Sequence, residues 1–140
     1  MTAETCVTDE VDSGIEKARE ELRERIKKIR EEKKEEEKKA EEKKETIKAE
    51  LGQAVSVLGK PESFLMVGFD DEYCLYMGGN KLEKGAFVSV SLFGSASSGA
   101  YEKMTAEICR IYEQQLGIPK DKVYISYTST GDWGWNGANF

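Results

Sequence analysis

The sequence predicts an α+β, two-layer domain of pseudo-symmetric β-α-β units, the first lacking its first strand, preceded by a long charged helix. Three observations carry this. Residues 15–50 are dominated by Glu, Lys and Arg, whereas residues 51–140 hold both Trp, all six Tyr and all five Phe. Within that second stretch a helix-to-strand pattern occurs twice, each helix closed by Leu-Gly-x-Pro. Ahead of the second helix stands an alternating strand; ahead of the first stand only Glu-Lys runs. The core is therefore expected in residues 43–140, with residues 1–42 as a charged helical arm. A unit of about 90 residues is small but can bury one hydrophobic core.

The arm comes first. From Ile15 to Leu58 the chain has no proline and one glycine, Gly52, so nothing punctuates a helix there. Asp12 or Ser13 is a candidate cap for its start. A continuous helix over residues 15–58 would be about 65 Å long. Ile15, Leu22 and Ile29 recur at seven, with Ala18 and Ile26 nearby, but residues 31–39 are charged throughout, so no coiled-coil core continues. Pairs such as Glu21–Arg25, Glu24–Lys28, Lys33–Glu37 and Glu35–Lys39 support such a helix by a few tenths of a kcal/mol each. The segment reads as a solvated arm, or as a partner-binding or self-associating one carried by its short apolar seam.

The first helix–strand pattern runs Ile47, Leu51, Ala54, Val55, Leu58, then Gly59-Lys60-Pro61, then the apolar run Phe64-Leu65-Met66-Val67. A glycine can take the left-handed conformation that ends a helix, and a proline two residues on forbids continuation. Tyr73 to Met77 alternates and is short enough for an edge or connecting strand, bounded by turns at Asp70-Asp71 and Gly78-Gly79-Asn80. Residues 86–93 alternate as a strand. The second helix follows through Tyr101, Met104, Ile108, Ile111, Tyr112 and Leu116. It ends at Gly117-Ile118-Pro119 and leads into Val123-Tyr124-Ile125. That second unit is a full strand–helix–strand, its strands expected parallel with a right-handed crossover. The ending, Gly131 to Phe140, reads as too glycine-rich for regular structure; its aromatics either pack on the core or line a pocket, packing being the favoured reading.

Composition narrows the function classes. The formal charge of −6, with Lys and Arg interleaved among Glu, argues against nucleic-acid binding. No stretch approaches the roughly 20 apolar residues of a membrane span. The first residues lack the features of a secretory signal, so a cytoplasmic protein is expected. Cys6, Cys74 and Cys109 form no CxxC pair and read as reduced thiols. There is no histidine, which removes the commonest general base and metal ligand, and neither metal nor cofactor is expected.

Specific segments resemble the macrophage migration inhibitory factor and tautomerase family. Leu58-Gly59-Lys60-Pro61-Glu62-Ser63-Phe64-Leu65-Met66-Val67 is similar to the family's segment after its first helix, and Met77-Gly78-Gly79 resembles its Phe-Gly-Gly turn. Leu116 through Ile125 matches its second helix end and following strand, and Trp133-Gly134-Trp135-Asn136-Gly137-Ala138-Asn139-Phe140 resembles its Gly-Trp-Asn-Gly-x-x-Phe ending. The resemblance implies homotrimers with pockets at subunit interfaces, keto–enol isomerisation of phenylpyruvate- or dopachrome-type substrates, and secretion without a signal peptide as an alternative location. It also implies an N-terminal proline whose secondary amine is the catalytic base.

Carried over residue by residue, the resemblance makes Lys60 the partner of a substrate carboxylate, where spacing alone would leave a solvated lysine at a helix end. Phe93 stands where the family has an isoleucine whose backbone N–H meets substrate. Tyr124 falls on the pocket tyrosine, with core packing an equal reading; Ser126 replaces an asparagine; Trp135 and Phe140 supply aromatic walls. The proline is missing: Pro61 and Pro119 are the only two, both helix stops, and the family's proline would fall near Ile29, inside the arm. A processed Thr2 amine, with a pKa near 8, is a weaker substitute that would require residues 2–8 to fill the first-strand position. Three readings follow: a tautomerase-family domain with impaired activity, a non-catalytic binding, cytokine-like or scaffold module, or a domain whose replaced first strand leaves an edge prone to association.

Overall fold

A computed structural model of the chain describes residues 4–140, with side chains from Glu10 onward. The chain divides into two compact units, Met1–Glu42 and Lys43–Phe140. Helix α1 spans Glu4–Ala54. It does not begin at Asp12 or Ser13 but runs through both and through Gly14. One glycine costs a helix only about 1 kcal/mol, and without proline nothing forces a stop there.

In the first unit every described side chain is exposed, including Val11 and the seam residues Ile15, Leu22, Ile26 and Ile29. Its ion pairs include Arg19–Glu16 at 3.7 Å, Lys28–Glu32 at 3.9 Å and Lys39–Glu35 at 3.9 Å. Of the four pairs expected from spacing, Glu35–Lys39 is thus formed; Lys28 reaches forward to Glu32 rather than back to Glu24. Such solvated pairs add little beyond helix support.

In the second unit α1 turns apolar. Ile47, Leu51 and Ala54 share a face at helical spacing and are buried, and a 3-10 turn at Val55–Leu58 continues it with Val55 and Leu58. Gly59 ends the run in the left-handed conformation (φ 69°), its N–H donating to Ser56 O. After Pro61 comes a 3-10 turn, Glu62–Phe64, which Leu65 leaves in extended conformation. The expected strand at residues 64–67 is not one: among the described residues these pair with no strand. A ladder needs a neighbour, and no strand of this chain precedes Tyr76 among the described residues.

A short hairpin replaces a longer expected strand. Strand β1, Tyr76–Met77, pairs antiparallel with β2, Asn80–Lys81, through Gly78 and Gly79, both at positive φ. The alternating stretch from Tyr73 contributes only its last two residues.

Strand β3, Ala86–Phe93, lies parallel to β4, Val123–Thr130, in register from Ala86 opposite Val123 to Phe93 opposite Thr130. Between them helix α2, Ser98–Leu116, makes the crossover. Ser97 Oγ accepts from Ala100 N at its start, and Gly117 (φ 64°) donates to Glu113 O at its end. Replacing Ser97 by Ala is expected to cost about 1 kcal/mol. For a unit of this size that corresponds to roughly 4–8 °C in Tm by calorimetry.

The C-terminal residues, expected to be irregular, form a hairpin of β5, Gly134–Trp135, with β6, Ala138–Asn139. Asn136 (φ 52°) and Gly137 (φ 82°) supply the two consecutive left-handed residues that a tight hairpin of this kind requires.

Ile47, Leu51, Ala54 and Leu58 meet Met104, Ile108 and Ile111 of α2 in one buried cluster. Val88 and Val90 of β3, Ile125 and Tyr127 of β4, and Leu65 and Val67 pack against it. The helices thus cover one face of the sheet. The Tyr127 hydroxyl lies 2.9 Å from Thr105 Oγ1 and donates to Tyr101 O at 3.2 Å, and burial pushes its phenol pKa up. Cys74 is exposed and Cys109 buried, both as free thiols; the Cys6 side chain lies outside the described residues.

Candidate functional site

The uncovered face of the sheet and the C-terminal hairpin carry the exposed aromatics. Along β3, Phe87, Ser89, Ser91 and Phe93 are exposed, alternating with inward Val88, Val90 and Leu92. Strand alternation fixes this: whatever puts the valines on the helices puts Phe93 on the open face. At that end of β3, the rings of Phe93 and Phe140 lie 5.2 Å apart. Phe140 stacks on Trp135 at 6.3 Å, and Trp135 meets Phe64 edge-on at 6.3 Å. These four rings form a continuous exposed surface rather than packing on the core, which corrects the expectation for the C-terminal aromatics. The rings reach one another because the tight Asn136-Gly137 turn folds Trp135 back beside the chain end.

Lys60 reaches the same place from the helix stop. A side chain built on Gly94, the residue after Phe93, would begin 3.5 Å from Lys60 Nζ. Gly94 is held there by its N–H donating to Thr130 O at 2.7 Å. None of the ion pairs among the described residues uses Lys60. A cation with no anionic partner beside an aromatic surface suits an aromatic carboxylate: the ammonium meets the carboxylate and the rings cover the apolar part.

The structure therefore gathers Lys60, Phe93, Trp135 and Phe140, and adds Phe64, which sequence reading had assigned to a strand. Its only signal was its place three residues after Pro61, where the chain turns before it extends. Tyr124 and Ser126 are not brought there within one chain. In the β3–β4 register Tyr124 lies opposite Phe87 and Ser126 opposite Ser89, whereas Phe93 lies opposite Thr130. At about 3.3 Å per residue, Tyr124 is roughly 20 Å and Ser126 roughly 13 Å along the sheet from that end. Both are on the open face, and Tyr124 at 61% exposure is not core packing.

No Asp, Glu or His side chain belongs to the gathered set. Among the described residues no group of His, Cys, Asp or Glu side chains is arranged to hold a metal ion. Thr2 lies outside the described residues, and residues 4–8 belong to α1 rather than to a strand. The shallow depressions among Arg23, Ile26, Lys27 and Arg30 lie on one side of the exposed helix and enclose nothing. No helix of the described residues is long and apolar enough to cross a membrane.

Residues 40–140 match the family model of macrophage migration inhibitory factor. The chain belongs to the macrophage migration inhibitory factor family. It is 29% identical over 87 residues to a macrophage migration inhibitory factor homolog of Trichinella spiralis, covering 61% of this chain and 75% of that protein. Against macrophage migration inhibitory factor of Xenopus laevis it is 27% identical over 90 residues, covering 63% and 77%. Among solved structures, Leishmania major MIF2 is similar at a TM-score of 0.66 and 33% identity, covering 71% of this chain and 85% of that one. A homologue from Prochlorococcus marinus gives 0.63 and 30%, covering 69% and 86%. The fold also extends to an asymmetric trimer of R7 fused 4-OT, with a TM-score of 0.61 at 14% identity over 70% of this chain and 85% of that one. The mixed helix-and-sheet architecture of the second unit is thus that of the macrophage migration inhibitory factor and tautomerase superfamily.

Proposed function

We propose that residues 43–140 bind a small aromatic keto or enol acid of the phenylpyruvate or dopachrome type, as a tautomerase-family site whose proton-transfer step is impaired. The observation that carries this is the meeting of unpaired Lys60 with the aromatic surface of Phe64, Phe93, Trp135 and Phe140 at the end of β3. Lys60 pairs with the carboxylate and the rings hold the aromatic group. The distance of Tyr124 and Ser126 from that end in one chain supports a homotrimer in which a neighbour's open sheet face completes the pocket. Impairment follows from the base: Pro61 and Pro119 both stand at helix ends, and the side chains gathered at the site include no Asp, Glu or His to take up a proton near neutral pH.

The test is binding of phenylpyruvate, followed by quenching of Trp fluorescence, in the full chain and in Lys60→Ala. A charged hydrogen bond contributes about 1.5–3 kcal/mol, so the substitution is expected to weaken binding roughly 10- to 100-fold. Unchanged affinity would remove Lys60 from the site. A second reading, a non-catalytic binding, cytokine-like or scaffold module, is favoured by that same want of a base. Binding that disappears with Lys60→Ala while turnover stays at the buffer rate would select it.

A further inference from the structure

Along the first part of α1 the apolar residues are Val11, Ile15, Ala18, Leu22, Ile26 and Ile29. Their steps of three or four residues keep them on one face of the helix. That face is open: all six are exposed, the five larger ones between 40% and 62%. From Val11 to Ile29 it measures about 27 Å. It stops there, because residues 31–39 are charged throughout.

The charges along the same stretch fall into two blocks. Residues 4–16 contain five Asp and Glu and no Lys or Arg, whereas residues 22–30 contain five Lys and Arg and one Glu. The turn between them is balanced, with Lys17 and Arg19 beside Glu20 and Glu21. Two copies of this helix laid side by side in the same direction set acid against acid and base against base. Reversed about residue 20, they set the acidic half of each against the basic half of the other. The apolar spacing selects the same register. Val11 then lies level with Ile29 of the second copy, Ile15 with its Ile26, and the small Ala18 with its large Leu22. Each pair occurs twice, as a two-fold axis requires. Glu10 and Asp12 come level with Arg30 and Lys28 of the second copy. Glu16 and Lys28 are held only loosely within their own helix, at 3.7 Å from Arg19 and 3.9 Å from Glu32, and both stay largely exposed.

We propose that the face from Val11 to Ile29 docks on the same face of a second copy of this chain, antiparallel about residue 20. The aliphatic pairs supply the attraction and the two charge blocks fix the direction. Other occupants match less of the surface. Residues 31–42 of a second copy offer Ala40 as their one apolar residue. An anionic lipid surface would attract residues 22–30 but repel residues 4–16, which continue the same face. Six apolar residues from each copy, one of them alanine, make a small interface, so association is weak, with a midpoint of about 10–100 µM. At lower concentrations the arm stands alone.

The experiment uses the full chain with Cys6→Ser and Cys74→Ser, since Cys109 is buried and can stay. Val11→Cys and Ile29→Cys are made separately in that background, mixed at about 200 µM and equilibrated in a glutathione redox buffer. The expected result is a mixed disulfide at least about tenfold more abundant than either same-variant disulfide, because the docked register holds those two thiols together. Adding Leu22→Glu to both chains should lower the mixed species about tenfold or more, with far-UV circular dichroism showing the helix retained. Disulfides in the statistical proportion, or none above the background of the unmixed variants, would overturn the proposal. An excess of same-variant disulfides would overturn it too, by showing parallel arms. So would a mixed disulfide indifferent to Leu22→Glu. The readout involves neither Lys60 nor phenylpyruvate, so this contact and the proposed site stand or fall separately.

Discussion

Ile111→Ala is expected to lower the unfolding free energy by about 3–4 kcal/mol, within the 2–5 kcal/mol range for removing most of a buried isoleucine. Ile111 is 0% exposed and belongs to the cluster that joins α2 to Ile47, Leu51 and Leu58. Three carbons lost there leave a cavity lined by helices that cannot close without moving the sheet. A domain of this size has roughly 5–15 kcal/mol to lose. Urea unfolding followed by Trp133 and Trp135, which both report on the second unit, should show a lower midpoint at unchanged slope. The contrast is Ile29→Ala. Ile29 is just as apolar but 62% exposed on the arm, so its loss should stay within about 0.5 kcal/mol. A large effect at Ile29 and none at Ile111 would mean that the seam, not this cluster, carries the stability.

That contrast also marks what a sequence can reveal. Gly59-Lys60-Pro61 and Gly117-Ile118-Pro119 announced both helix ends because the left-handed glycine and the proline each act within a few residues. The β3–α2–β4 unit was legible because its alternation and its helical spacing switch cleanly. Residues 64–67 have the same apolar character, yet a strand is a relation between two segments, and no residue of Phe64-Leu65-Met66-Val67 records whether a neighbour is present. The helix start moved to Glu4 because Asp12 and Ser13 can cap a helix but do not compel one. Asn136-Gly137 did carry a local hairpin signal, masked by the glycines around it.

At the site, Lys60, Phe93, Trp135 and Phe140 could be named from motifs, but their meeting depends on where a helix stop and a hairpin fall in space. Phe64 was missed for that reason. The separation of Tyr124 from Phe93 follows from the parallel register, which motif order does not contain.

The largest functional effect expected is on turnover. Phenylpyruvate tautomerisation by the full chain should have a kcat/KM about 10²–10⁴ below that of a family member carrying the N-terminal proline, measured side by side, which is the usual contribution of a positioned general base. As a barrier this is roughly 3–5 kcal/mol. It exceeds what Lys60→Ala is expected to remove, since the proposed contact of Lys60 with a carboxylate would be used in both the ground and transition states, and a uniformly used contact mainly affects KM. The two effects are therefore separable. Lys60→Ala should raise KM in whatever activity remains, while the want of an acceptor should show in kcat. Should kcat/KM instead match the proline-bearing relative, a base must be present that the gathered residues do not include. The pH profile would then name it: a rise centred near pH 8 points to an α-amine. A rise near pH 10 or above points to a lysine or a phenol.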